Sequence, residues 1–551
     1  MISNFKFSDE EKQTAKTYFD AADAVFDKAL KNSDLRLKDK VNKEGEINIK
    51  SISDATIVEE YYVAPNTTVS KQRPIVDLVQ QGGGMWGIAL LGYCYIMEKV
   101  GIRFYSHGGT SAGAINALFL ASISADIYKS PPILDTKNKR SALKSEILTL
   151  IVSNMDFSTF MDRGGIAGKI QKRLFKNFNS KFLPFLLGGA SLIILISTYL
   201  FFGWLLKHFN MNSADIRYFS FVIGTFNLIA YFFLLYILFA KVLGEYFGIN
   251  TGNSFLFWVK QNLEKLNIKT TKGLRDTLCE TQLMRNVSTQ DLNDDLKTLV
   301  ASNMYQMANE EIAGKPLVVS KSASKQLMVK KKAVEHPKIV LIASNLTHNR
   351  IVRFPEQAGK YWENPQDVHP AAYVRASMSL PFIFKTFIPN TSIHFADSEN
   401  PKNKVNLKAR MVDGGMLSNF PIREFHRKSN KAPSFPTFGV LLSKQPEATS
   451  ANNLKGQKNS LIKYILSYIK TFRNFYDNDY MFSRDEIEKI VEVVDTRREP
   501  KPDSKHINWL DFWMSPEDKL LLFERGAEAA IRQLDKFDWV AYKATRIKKL
   551  K

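Results

Sequence analysis

The first third of the chain alternates between apolar segments and glycine-rich breaks. Residues 75–79 and 102–106 are short β-branched and aromatic runs, which is typical of buried strands. Residues 87–100 and 111–124 are longer and mainly apolar on every face, which is typical of buried helices. The order strand, helix, strand, helix predicts a right-handed βαβ unit, so we expect a mostly parallel sheet covered by helices.

Apolar runs also occur far along the chain. Residues 338–344 and 437–442 are expected to be further buried strands. Ser515 is followed by a proline and two acidic residues, which is a typical helix start, and this helix is expected to end near Leu534. The charged N-terminus lacks the apolar core of a signal peptide and predicts an exposed helix.

Two long uncharged stretches interrupt this pattern, at residues 182–206 and 218–240. Each would form a helix of about 35 Å, which is enough to cross a hydrocarbon core of ~30 Å. Their short connection predicts a transmembrane helical hairpin with both ends on one side. Basic residues cluster before the first stretch and are few in the connection, which places the rest of the chain in the cytoplasm, at the inner membrane in a bacterium. Buried helices of a soluble core, or a hairpin lying in one leaflet, are the alternatives.

The composition is that of a folded chain with an excess of positive charge. Hydrophobic residues make up 45% of the 551 residues and the net charge is +21, a balance that argues against intrinsic disorder. Because no zinc-binding, helix-turn-helix or RNA-binding motif accompanies the charge, we expect an anionic lipid surface as partner and no nucleic acid. Cys94 and Cys279 are the only cysteines, so neither a disulfide framework nor a metal site is expected.

Candidate chemistry lies in the glycine-rich breaks. In the pentapeptide Gly109-Thr-Ser-Ala-Gly113, the sequence predicts Ser111 at a strand-to-helix turn, the setting of a nucleophile elbow. Gly109 and Gly113 would permit the tight turn and the close approach of strand and helix. The N-terminus of the following helix would stabilise negative charge developing beside Ser111.

A triple glycine precedes this turn, between the first predicted strand and helix. Glycines at 82–84, with Gly87 after them, would let several backbone N–H groups converge on an anion at the helix N-terminus. A nucleotide phosphate loop is the alternative, although the Lys-Ser/Thr ending of such loops is missing. A third break, Asp413-Gly414-Gly415, follows a short apolar run and would place a carboxylate at a strand end.

These three motifs resemble the hallmarks of the patatin-like phospholipases, in the same order. Residues 374–381, VRASMSLP, and residues 419–421, NFP, match further segments of that family. The resemblance implies a three-layer α/β/α fold around a central, mostly parallel sheet, here interrupted by the transmembrane hairpin. One position departs from the family, because Trp86 stands where Arg or Lys is usual.

The resemblance also implies a mechanism, hydrolysis of fatty-acyl esters in membrane phospholipids or lysophospholipids by a Ser–Asp dyad. Asp413 would accept the proton of Ser111, whose oxygen attacks the ester carbonyl to form an acyl-enzyme. Backbone N–H groups would bind the oxyanion, and we assign this role to Gly83, Gly84 and Ala112. The remaining motif glycines are Gly82, Gly87, Gly109, Gly113, Gly414 and Gly415. No metal or organic cofactor is implied, and the sequence is compatible with a homo-oligomer.

Other assignments stay open at this point. A Ser–His–Asp triad could use His426 or His506, but His426 lies in a charged segment that predicts a solvated helix face, and His107 is expected within the strand below the elbow. An acyltransferase using the same acyl-enzyme and a catalytically weak membrane scaffold are the alternative functions. The expected division of the chain is an N-terminal helical extension (1–70), a patatin-like catalytic domain (71–445) with the inserted transmembrane hairpin (182–240), and a linker with a C-terminal helical region (446–551).

Overall fold

The computed structural model describes residues 7–548 apart from several gaps. The longer gaps are 135–140, 162–191, 286–336, most of 390–408, 427–432 and 443–470, and shorter ones lie at 194–195, 202, 206, 209–211, 244–246, 281–282, 472–474, 482, 500 and 502–503. All statements about the fold refer to the residues outside these gaps.

A nine-stranded sheet forms the centre of the fold. Its strands are β1 (Ala55–Ala64), β2 (Thr67–Gln80), β3 (Arg103–Thr110), β5 (Leu283–Arg285), β6 (Ile339–Asn345), β7 (Arg350–Phe354), β11 (Met411–Asp413), β12 (Thr437–Leu441) and β13 (Val491–Val493). Two small sheets pair β4 (Gly248–Asn250) with β8 (Phe382–Phe384), and β9 (Phe395–Ala396) with β10 (Lys404–Val405).

The middle of the large sheet is parallel. Strands β13, β12, β2, β3 and β6 pair in that order and run in one direction. Strands β1, β5, β7 and β11 pair antiparallel around them. This arrangement confirms the predicted mixed α/β fold with a central, mostly parallel sheet, because β2 and β3 are the two strands of the predicted βαβ unit.

α-Helices precede, separate and follow these strands in the described residues. In chain order they are α1 (Asp9–Lys31), α2 (Leu37–Lys40), α3 (Gly87–Lys99), α4 (Ala112–Ser122), α5 (Lys144–Ser153), α6 (Ser213–Leu243), α7 (Asn253–Lys265), α8 (Thr271–Cys279), α9 (Ala371–Ser377), α10 (Ile487–Ile490), α11 (Pro516–Lys536) and α12 (Trp539–Lys548). Helices α1, α3, α4 and α11 are those expected at the N-terminus, at residues 87–100 and 111–124, and after Ser515. The expectation that the N-terminal helix is exposed is wrong for one face of α1, which buries Tyr18, Phe19 and Phe26.

Both ends of the chain contribute to one hydrophobic core. Buried side chains of α1, α3, α4 and α11 belong to a single cluster. Helices α3 and α11 pack so closely that a Cβ at Gly92 would overlap the carbonyl of Phe523, and a Cβ at Gly526 would overlap that of Ala89. Residues 1–70 are not wholly helical as predicted, because they also supply β1, which pairs with the first half of β2.

The transmembrane hairpin expected from the sequence finds no support in the described residues. None of their helices is long and apolar enough to cross a membrane. Much of the first predicted span, 182–206, lies outside the described residues. The second, 218–240, falls within the helix α6.

Candidate active site

Ser111 occupies a sharp turn between strand β3 and helix α4. Its backbone has φ 54° and ψ −120°, a conformation that residues with a side chain rarely adopt and that marks local strain. The turn depends on its two glycines, because a Cβ on Gly109 would overlap the backbone of Gly113, and one on Gly113 would overlap the carbonyl of Gln80. The strand–turn–helix context predicted for Ser111 is therefore present.

The C-terminal end of helix α9 and the residue after it contact the serine. The Ser111 N–H donates to Ser377 Oγ at 2.9 Å, and the Ser111 hydroxyl donates to the sulfur of Met378 at 3.0 Å. Ser111 is buried. A thioether is a weak hydrogen-bond acceptor, so little hydrogen-bond energy is lost when the hydroxyl gives its proton to a stronger base.

Asp413 lies at the end of β11 and meets the serine turn on the edge of β6. Thr110 of β3 pairs with Ile342, and Asp413 pairs with the next residue of β6, Ala343. Strand β7 occupies the other edge of β6 along the same residues, so β3 and β11 follow one another along a shared edge. The register thus brings the carboxylate and the serine turn to one place, although their motifs are about 300 residues apart in sequence.

Backbone contacts hold the Asp413 carboxylate in its turn. Its Oδ1 accepts the N–H of Gly415 at 2.7 Å, while its own N–H donates to the carbonyl of Ser379 at 2.9 Å. A Cβ on Gly414 would overlap the carbonyl of Ile342 and lie 2.9 Å from Thr110 Cγ2. The end of α9 and the residues after it therefore contact both candidate catalytic residues, one through Ser377 and Met378 and the other through Ser379.

The triple-glycine loop runs beside the serine turn. A Cβ built on Gly82 would lie 3.0 Å from the Cβ of Ser111, and one on Gly87, where α3 begins, 2.8 Å from the Cβ of Ala112. Gly84 has a positive φ of 56°. The backbone N–H groups of Gly83, Gly84 and Ala112 donate no hydrogen bond to any described residue. These are donors of the type that stabilises an oxyanion.

Asn419 links the glycine loop to the aspartate turn. Its amide nitrogen donates to the Gly82 carbonyl at 2.9 Å, and its own carbonyl accepts the Gly82 N–H at 3.0 Å. A Cβ built on Gly82 would lie 2.5 Å from the Asn419 amide oxygen, and one built on Gly415 would lie 2.6 Å from it. The sequence identifies Asn419 only as part of a segment that matches the family and does not indicate this structural role.

Two further residues organise the site and were not identified from the sequence. Asp477 is buried and accepts three hydrogen bonds, from the Ser418 hydroxyl at 2.7 Å and from the N–H groups of Asn419 and Phe420 at 2.6 and 2.9 Å. Nothing near Asp477 in the sequence resembles a motif. Arg375, which lies in the matched VRAS segment, is buried and donates to the Ser379 hydroxyl and to two backbone carbonyls.

An apolar cavity opens next to the serine turn. Its empty space, counted together with the open solvent at its mouth, is about 450 Å³. Its lining includes Met85, Ile115, Phe160, Trp258 and Met378. Because Ala112 and Met378 line it and both adjoin Ser111, the cavity suits an apolar chain attached to the group that Ser111 attacks.

None of the three candidate histidines forms a hydrogen bond with Ser111 in the described part of the chain. The expectation that His426 is solvated is wrong, because it is buried between Tyr480, whose hydroxyl is 3.1 Å from Nδ1, and Arg546. His506 Nδ1 lies 2.8 Å from the Thr496 hydroxyl. His107 lies within β3 as expected, is buried, and neither of its ring nitrogens has a partner among the described residues. The structure thus gives no support to a triad.

Because His107 is buried, we expect the free energy of unfolding to depend on pH. Burial, together with the nearby charge of Lys144, lowers the pKa of His107 to about 3, whereas the unfolded chain protonates this residue near pH 6.5. Between these values only the unfolded chain binds the proton, so the free energy of unfolding falls as the pH falls, by up to ~1.4 kcal/mol per pH unit.

The variant His107→Leu removes this contribution. Denaturant unfolding at pH 7 and pH 5 should show that the wild type loses about 2 kcal/mol more than the variant over this interval. Equal losses in the two proteins would mean that His107 is protonated in the folded state or is not buried.

The match to a known protein family extends over all three glycine-rich motifs. The sequence profile of the family described as "Patatin-like phospholipase" matches residues 78–426, which is more than half of the chain. A segment of 186 residues is 27% identical to "Uncharacterized protein YqhO" of Bacillus subtilis (strain 168); it covers 34% of this chain and 53% of that protein, so the match spans about half of the relative's length.

A solved structure gives a weaker comparison. The crystal structure of VipD from Legionella pneumophila aligns with 91% of this chain and 73% of its own, at 13% identity and a TM-score of 0.29. A score this low supports no argument about fold or function.

Proposed function

The chain belongs to the patatin-like phospholipase family, and we propose that it is a serine lipid acyl hydrolase that cleaves the fatty-acyl esters of phospholipids or lysophospholipids. The observation that carries the proposal is the position of Ser111. It lies on a strained turn, at the place on β6 where Asp413 ends its strand, and beside backbone N–H groups that donate to no described residue.

The proposed reaction has two steps. The Ser111 oxygen attacks the ester carbonyl carbon while its proton passes to the Asp413 carboxylate, directly or through a water molecule. The tetrahedral intermediate collapses, and the leaving alcohol takes a proton from Asp413. A water molecule then attacks the acyl-enzyme and gives a proton to Asp413. The second tetrahedral intermediate collapses, the Ser111 oxygen takes that proton from Asp413, and the fatty acid is released.

Negative charge develops on the carbonyl oxygen in both steps. The N–H groups of Gly83, Gly84 and Ala112 would bind it, and the N-terminus of helix α4 would add a favourable dipole. Loss of one such donor costs on the order of 10²–10³ in rate in other hydrolases, so the glycine loop carries as much of the catalysis as the carboxylate does. The apolar cavity beside Met378 would receive the acyl chain.

We also propose that residues 182–240 attach the enzyme to membrane lipid. Helix α6 exposes large apolar side chains, among them Phe221, Phe226 and Tyr236, each at least 68% exposed. Exposed apolar side chains in this number on one helix are typical of an interaction site. Together with a net charge of +21, they favour an anionic membrane, with the catalytic domain on the cytoplasmic side.

The function can be tested by lipid-product mass spectrometry. Purified protein is incubated with vesicles of mixed phospholipids and lysophospholipids, in parallel with Ser111→Ala. The proposal expects free fatty acids and deacylated lipids from the wild type alone. Transfer of the acyl group to an added alcohol in place of water would identify an acyltransferase, and the absence of any product would identify a lipid-binding scaffold.

A further inference from the structure

A segment near the C-terminus lies directly on the glycine loop. This segment, residues 506–510, is named the clasp. The Met85 N–H donates to the carbonyl of Trp509 at 2.9 Å, and the indole N–H of Trp86 donates to the carbonyl of Ile507 at 2.8 Å. Two consecutive residues that follow Gly83 and Gly84 are therefore bound to the clasp.

Trp509 also packs against the loop. A Cβ built on Gly84 would lie 3.0 Å from Trp509 Cε3 and would overlap the Trp509 carbonyl. The clasp thus covers Gly84 at the point where its φ is positive. At the other end of the loop, Asn419 forms two hydrogen bonds with Gly82, so the loop is fixed at both ends.

The clasp is hydrogen bonded to a residue that follows a strand of the central sheet. The Ile507 N–H donates to the Thr496 carbonyl at 3.0 Å, and His506 Nδ1 lies 2.8 Å from the Thr496 hydroxyl. Thr496 follows strand β13, which pairs with β12. The carbonyls of the clasp are therefore held at a set position relative to the same sheet that carries Ser111.

We propose that Trp86 is a positioning residue, which holds the glycine loop through the clasp so that the N–H groups of Gly83 and Gly84 point at the oxyanion. The inference rests on the proposed function. Oxyanion donors accelerate a reaction because they are oriented before the charge develops, and a loop of three glycines has the least backbone preference of its own. The indole hydrogen bond of Trp86 restricts the backbone conformation that the glycines alone would leave free.

The test is Trp86→Phe, which keeps an aromatic ring and removes the N–H donor. Its matched control is Trp539→Phe, which removes another indole hydrogen bond, 2.9 Å to Asp54, away from the glycine loop. With a soluble short-chain ester, Trp86→Phe should lower kcat about five- to tenfold and leave KM unchanged, because oxyanion donors act mainly in the transition state. Labelling of Ser111 by a fluorophosphonate should slow by a similar factor. Trp539→Phe should lower the melting temperature without lowering kcat.

Outcomes separate this inference from the function on which it rests. If the wild type labels at Ser111 and hydrolyses the ester, but Trp86→Phe retains full kcat, changes only KM, or behaves as Trp539→Phe does, the positioning role is wrong. If the wild type neither labels nor hydrolyses any ester, the proposed function is wrong and the inference goes with it. Circular dichroism at the assay temperature verifies that both variants are folded.

Discussion

Ser111→Ala should remove nearly all esterase activity, and Asp413→Asn should lower kcat by 10²–10⁴-fold, the range expected for a lost general base. Both variants should fold. Asn at 413 keeps a side-chain oxygen that can still accept the Gly415 N–H, so the turn after β11 survives. What Asp413→Asn loses is the basic carboxylate beside the serine turn, and its effect on kcat reports that loss alone.

Labelling and histidine variants supply the controls for the dyad. A fluorophosphonate should modify Ser111 in the wild type and no serine in Ser111→Ala. His107→Leu and a folded His426 variant should lose less than about tenfold in kcat, since burial lowers the pKa of both histidines to about 3 and neither bonds to Ser111. A loss of 10² or more in either, or labelling at a different serine, would favour another mechanism.

Replacing residues 182–240 with a short Gly/Ser linker should separate membrane attachment from catalysis. Hydrolysis of soluble short-chain esters should stay within about twofold, because no residue of this stretch contacts Ser111 or Asp413 within the described part of the chain. Hydrolysis of lipids in anionic vesicles should fall by tenfold or more, because attachment raises the local concentration of substrate and orients the cleft.

A milder pair of variants controls for the deletion. Phe221→Ser with Phe226→Ser changes only the exposed surface of α6 and should weaken vesicle binding. Val58→Ser with Val69→Ser, two exposed apolar residues of the β1–β2 pair, should not. Vesicle binding of the deletion protein should weaken further with salt, as only charged contacts remain. Unchanged hydrolysis of vesicle lipids after the deletion would contradict the attachment.

The centre of the fold and the strand-to-helix turn of the candidate serine could be predicted because their signals are local. Strands β2 and β3 contain the short β-branched and aromatic runs at residues 75–79 and 102–106, and helices α3 and α4 are mainly apolar. The glycines between these segments leave few alternatives for the turns. Ser111 could be placed at a strand-to-helix turn because Gly109 and Gly113 stand on both sides of it. The structural setting of a residue can be predicted from the sequence when its neighbours in sequence determine that setting.

Residues that act across the fold could not be found in this way. His426 looked solvated because Arg423, Glu424 and Arg427 surround it in sequence, whereas the side chains that bury it come from Tyr480 and Arg546. Asp477 carries no motif, since its partners are backbone N–H groups of a distant loop. Strands β11 and β13 have three residues each, which is too short for a periodic pattern to reveal their pairing.

The close packing of α3 against α11 has a consequence for the order in which the chain is made. A ribosome that has reached residue 490 has already produced the serine, the aspartate and every motif glycine. It has not produced β13, the clasp, or the helix whose Gly526 fits against Ala89 at the start of α3. We therefore expect a nascent chain to gain esterase activity only after α11 has been made and has packed against α3.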